Sequence, residues 1–173
     1  MSTLKHLVVC MAISVASPAL AQTVRFGQPI APADVAPWDI SIGPDGVGLP
    51  PGRGTAAQGE AIYAAKCQGC HGAQAVGGPN DPLVGGSLAP GKPPVKTVGN
   101  YWPYATTLFD YVRRAMPFQE SKSLTNDEVY AVSAYILNLN GIVGANDMLD
   151  AQSLPKVKMP NRDGFIPFPR KPN

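Results

Sequence analysis

Histidine and cysteine are nearly missing from this sequence, at two and three residues in a chain of 173. A structural zinc site wants four ligands, usually drawn from two separate knuckles, and no second Cys/His pair exists to complete one. A marked excess of charge of either sign is missing too. The formal net charge is +2, which argues against the basic footprint that nucleic-acid binding requires. Long apolar runs are absent. The one clear run, residues 7–15, is too short to span a bilayer comfortably, and no second stretch could cross a membrane, so no membrane anchor is expected. Internal repeats and the pattern of a second domain are also lacking, and the length suits one modest domain.

What is present begins with a leader. Lys5 and His6 precede the apolar run, and small residues follow it up to Ala19-Leu20-Ala21. That is the layout of a secretory signal peptide ending in an A-x-A cleavage site, here residues 1–21. Cys10 is not a lipidation site on this reading, because Val9 is large where the processing site wants Gly or Ala. Cleavage after Ala21 leaves Cys67, Cys70 and His71, with Met116, Met148 and Met159 as the surviving methionines. Lys5 leaves as well, taking the 14 basic side chains to 13 against 12 acidic ones. The expected location is an oxidising exported compartment, the periplasm.

Residues 22–54 are too rich in Pro and Gly for long elements and read as an irregular N-terminal arm, with a brief extended piece at residues 39–42. Trp38 and Ile40 favour packing of that arm on a surface. A compact helical body follows over residues 55–141. Its first helix runs from Thr55 to about Lys66, with Thr55 and Gln58 at capping-box spacing. Gly59 weakens that helix but allows another helix to come close. Residues 72–105 form a long Gly/Pro/Asn loop, and a loop of that length usually wraps something. Thr106 or Thr107 can cap a second helix, "LFDYVRRA", which stops before Pro117. A third helix starts at Thr125 with Glu128 in the capping-box position. It turns Val129, Val132, Ile136 and Leu139 to one face and ends at Asn140-Gly141. Residues 142–173 form a C-terminal arm that packs on the core or on a partner.

Inside the first turn after the leading helix stands "CQGCH". A thioredoxin-like thiol pair wants a preceding strand and a parallel sheet, whereas the run here is helical. C-x-x-C-H is the attachment signal of a c-type haem: Cys67 and Cys70 add to the two vinyl groups, and His71 reaches the iron from the proximal side. The porphyrin then fills a core that three short helices would leave thin. Histidine is exhausted by this assignment, so the opposite axial ligand falls first to Met116, in "RRAMPF", with Met159 and then Met148 behind it. Two filled axial positions leave no open site, and the expected work is moving one electron. Trp102 is a candidate donor to a haem propionate, and Arg113 a candidate ion-pair partner for one. Pro79 can stiffen the proximal loop, and Gly77 and Gly78 let the backbone pass close to the ring.

The pattern "CQGCHG" with a distant "MP" resembles class I c-type cytochromes. More specifically, "PLVGG", "KTVGNYWPYATTLFDYVRRAMPF", "SLTNDEVYAVSAYILNLNGIV" and "LPKVKMPNRDGF" resemble the cytochrome domain of sulfur dehydrogenase and related sulfite dehydrogenase cytochromes, over roughly residues 59–165. The resemblance implies an all-α, class I cytochrome c-like domain with three main helices around one covalent haem c. Cys67 and Cys70 hold that haem, His71 is its proximal ligand and Met116 its distal one. It further implies an electron-transfer subunit without a substrate site of its own. Its partner is a molybdenum subunit of the sulfite-oxidase type, and its acceptor a soluble cytochrome c. An independent soluble carrier is the competing expectation. The family commonly carries two haem domains, and this chain has one C-x-x-C-H.

Overall fold

The computed structural model describes residues 27–166, so the leader, residues 1–21, and the last residues of the C-terminal arm lie outside the described chain. Five α-helices follow one another: α1 Pro32–Val35, α2 Ala56–Lys66, α3 Gln68–His71, α4 Ala105–Ala115 and α5 Asn126–Leu139. Two two-residue strands, β1 Arg53–Gly54 and β2 Leu149–Asp150, pair antiparallel, with Arg53 opposite Asp150 and Gly54 opposite Leu149. Apart from that ladder the architecture is a small helical bundle in which α2, α4 and α5 are the long elements.

Both expected capping boxes form. The Thr55 hydroxyl accepts from Gln58 N while the Gln58 side chain accepts from Thr55 N, and Thr125 and Glu128 repeat the arrangement on α5. Helix α4 departs from expectation. It starts at Ala105 after Tyr104, with no side-chain cap. Thr106 is buried, and its hydroxyl donates to the Pro44 carbonyl at 3.4 Å, so it faces the N-terminal arm instead of closing the helix end.

Helices α2 and α5 cross at Gly59. A Cβ at that position would lie 2.0 Å from the Ala131 carbonyl oxygen, so the helices meet at a distance only glycine permits. Helix α5 is the centre of the molecule. Val129, Val132 and Ile136 are buried as their spacing predicts, and Leu139 is half-buried. Tyr130, Ala131, Ala134 and Leu137 are buried as well, because α2 and the two arms cover the other faces.

The N-terminal arm has no strand at residues 39–42; its extended pairing comes later, at β1. Its second half is pinned down. Tyr130 Oη donates to Pro50 O at 2.9 Å, Asn126 Nδ2 to Pro51 O at 3.1 Å, and Arg53 N to Asp127 Oδ1 at 2.7 Å. The described part of its first half, around α1, buries nothing, and Ile30, Val35 and Trp38 stay exposed. The C-terminal arm wraps the same core, burying Leu149, Leu154 and Met159. Asn161 Nδ2 donates to Tyr101 O at 2.6 Å, and the Arg162 guanidinium lies 4.4 Å over the Tyr104 ring.

Candidate haem site

Helix α2 gives way at Cys67, whose backbone leaves helical geometry (φ −122°) before α3 begins. This break turns Cys67, Cys70 and His71 toward one cavity of about 580 Å³, within the usual range for a cofactor pocket. Cys67 and Cys70 are not joined to each other by a disulfide. Burial, and secondarily the neighbouring Cys70, pushes the Cys67 thiol up to about 11. It therefore stays protonated at neutral pH, unlike the thiolate of a redox-active pair. Among the described residues no three His, Cys, Asp or Glu side chains gather as a metal site.

His71 Nδ1 lies 2.9 Å from the Asp81 carbonyl oxygen. A carbonyl only accepts, so Nδ1 carries the proton and Nε2 is left as the ligating nitrogen. The loop beyond is laced back on itself: Gly77 N donates to His71 O and Asn80 N to Cys70 O, both at 3.0 Å. Tyr63 Oη donates to Gly72 O at 2.9 Å. Gly72 has φ +77°, and a Cβ there would strike the Gly77 carbonyl oxygen at 2.2 Å, so this turn requires glycine.

The opposite wall comes from α4, α5 and the segment after α4. Leu108, Val112, Val132 and Ile136 line it with apolar surface, and Met116 lines it where α4 ends. Trp102 lines it from the long loop. Of the predicted site residues, the fold thus brings Cys67, Cys70, His71, Met116 and Trp102 to one cavity. It does not bring Arg113, whose Nη1 donates to Ile40 O at 3.5 Å on the side of α4 that faces the N-terminal arm. Arg114 pairs with Asp110. Met159 is buried in the core under the C-terminal arm and Met148 is exposed; neither lines the cavity. Two thiols, an imidazole with a free Nε2, a thioether and apolar walls fit a covalently held haem.

A family model described as cytochrome c oxidase, cbb3-type, subunit III matches residues 54–136. No curated protein matches the chain. A chain in the crystal structure of the sulfane dehydrogenase SoxCD from Paracoccus pantotrophus superposes with a TM-score of 0.76 at 40% sequence identity, covering 84% of this chain and 72% of that one. The chain belongs to the SoxCD cytochrome family. As a SoxCD-type cytochrome it is a haem-binding electron-transfer domain, and among the described residues no helix is long and apolar enough to cross a membrane.

Among the cavity-wall residues of this SoxCD-type cytochrome that sequence reasoning missed are Lys96, Tyr111 and Phe118. The signal for Tyr111 was available, since Leu108, Tyr111 and Val112 share one face of α4 at spacings of three and four. Phe118 is exposed and sits beside the Met116-Pro117 pair. Lys96 carries no local pattern, and only the folding of the long loop brings it to the cavity.

Proposed function

We propose that this protein carries single electrons on one covalent haem c in the periplasm. In this reading it is the cytochrome subunit that accepts them from a sulfite-oxidase-type molybdenum subunit and passes them to a soluble cytochrome c. The observation that carries the proposal is the convergence of Cys67, Cys70, His71 and Met116 on one apolar cavity. When bound, the haem supplies one-electron iron chemistry between the ferric and ferrous states. Cys67 and Cys70 would hold it through thioethers, and His71 Nε2 and Met116 Sδ would ligate its iron. The Asp81 carbonyl fixes the His71 ring and raises the basicity of its free nitrogen. Leu108, Val112, Val132 and Ile136 exclude water, and the soft Met116 sulfur favours the reduced metal and a higher potential.

The partner rests on the likeness to a sulfane dehydrogenase. One observation favours an independent carrier instead: the second half of the N-terminal arm and most of the described C-terminal arm are committed to their own core. Purification from the native source decides between the two. Co-elution with a molybdenum protein in fixed stoichiometry supports the subunit reading. A monomer at every concentration, with no molybdenum in any co-eluting fraction, overturns it. A protein whose pigment is released by acid–acetone overturns the covalent haem itself.

A further inference from the structure

The cavity carries a cation with no acidic partner. Two lysines stand on its wall. Lys66 is taken by Glu120 at 2.7 Å, whereas Lys96 makes no ion pair among the described residues; its Nζ lies 4.5 Å from the centre of the Tyr101 ring. The backbone on either side of Lys96 is anchored. Val95 N donates to Ser87 O at 2.9 Å, and Asn100 Nδ2 donates to Val95 O at 3.0 Å. Thr97 N donates to Asn100 Oδ1, and the Thr97 hydroxyl donates to Gly85 O, both at 2.8 Å. The lysine stem therefore leaves a fixed point at the cavity rim.

The same wall holds two further donors. Trp102 and Tyr111 meet edge to face with ring centres 5.8 Å apart. Neither the indole N–H nor the phenol O–H finds a hydrogen-bond partner among the described residues. The other charged or titratable groups lining the cavity are the cysteines, His71 and Asp81, all on the proximal side, and Lys66 with its Glu120 partner. A cation and two donors without a partner among the described residues suit carboxylates, and the only carboxylates of a haem are its propionates.

We propose that Lys96 is the charge partner of a haem propionate, with Trp102 and Tyr111 donating to the same edge. The inference rests on the haem reading above, and it gives Lys96 the role that the sequence had offered to Arg113. Lys96 is a positioning and field residue. A cation held at the propionate edge disfavours the ferric charge and raises the potential.

The test uses the full haem-loaded chain and the variants Lys96→Gln, Lys96→Arg and Lys92→Gln. Both positions are exposed loop sites, so folding is not at stake. The readouts are the propionate bending band in the resonance Raman spectrum and the midpoint potential. Lys96→Gln is expected to shift the band and to raise the oxidised-to-reduced ratio at fixed poise roughly three- to tenfold, about what one unit charge exerts in a partly solvated site. Lys96→Arg restores both, and Lys92→Gln, in the same loop but off the cavity wall, changes neither. A Lys96→Gln spectrum and potential that overlay those of the parent overturn the inference. So does a change in potential without a change in the band, or an equal effect of Lys92→Gln. Absence of covalent haem in the parent chain would instead sink the functional reading, and the pyridine haemochrome spectrum checks that first.

Discussion

Tyr130 shows how much one side chain joins here. Its ring packs 4.4 Å, centre to centre, from Phe109 on α4, and its hydroxyl holds the Pro50 carbonyl of the N-terminal arm. Tyr130→Phe keeps the ring and drops the hydrogen bond, an expected loss of about 1 kcal/mol, read as a lower Tm of the haem-loaded protein. Burial, reinforced by Asp150, pushes the Tyr130 hydroxyl up to about 12 from an ordinary 10.0. A group whose folded value is raised contributes stability below its unfolded value and loses it as pH rises through the folded one. The parent should therefore lose stability between about pH 10 and 12 more steeply than Tyr130→Phe, which denaturant titrations at stepped pH will show.

The two buried or half-buried methionines separate by the same logic of place. Met116→Ala is expected to abolish the thioether–iron band at the red end of the visible spectrum and to lower the potential. Met159→Ala should keep the band and cost about 2–5 kcal/mol of stability, as large-to-small changes in a core do. A band that survives the first change and vanishes with the second would reverse the ligand assignment.

At the scale of elements, the crossing of α2 and α5 is the least forgiving contact. Gly59→Ala must push the Ala131 backbone aside, and overpacking of this kind costs about 1–3 kcal/mol or more. Thermal melts should show Gly59→Ala well below the parent, while Ala64→Gly on the exposed side of α2 loses only about 1 kcal/mol. Elements of this kind were largely legible in the chain. Thr55 with Gln58, and Thr125 with Glu128, set the helix starts through contacts three residues apart, and Gly59 announced a close neighbour. The start of α4 was not legible, because Thr106 spends its hydroxyl on Pro44, 62 residues away in sequence. The direction of Arg113 was not legible for the same reason: a carbonyl of the distant arm, Ile40 O, accepts from its guanidinium. The C-x-x-C-H was readable because its chemistry is contained in five residues. Lys96 was not, because it reaches the cavity only through a loop held by Asn100 and Gly85.

For the whole molecule, the arms divide into working and idle portions. A chain ending at Gly141 loses Leu149, Leu154 and Met159 from the core. With total stabilities of only about 5–15 kcal/mol, it is expected to fail to fold, judged by proteolysis and haem content. Removal of residues 27–39 takes away no buried side chain and should leave Tm and spectrum unchanged. If the electron donor grips Ile30, Val35 and Trp38, that same deletion will weaken co-elution with the molybdenum protein without touching the haem.

The short ladder between Arg53–Gly54 and Leu149–Asp150 makes neighbours of two stations nearly a hundred positions apart along the polypeptide. The body therefore behaves as a ring closed by a buckle. A permuted gene opened at the turn around Gly91, with its old ends spliced by a flexible bridge, could rebuild the same molecule, and tandem copies could be strung together without opening any of them.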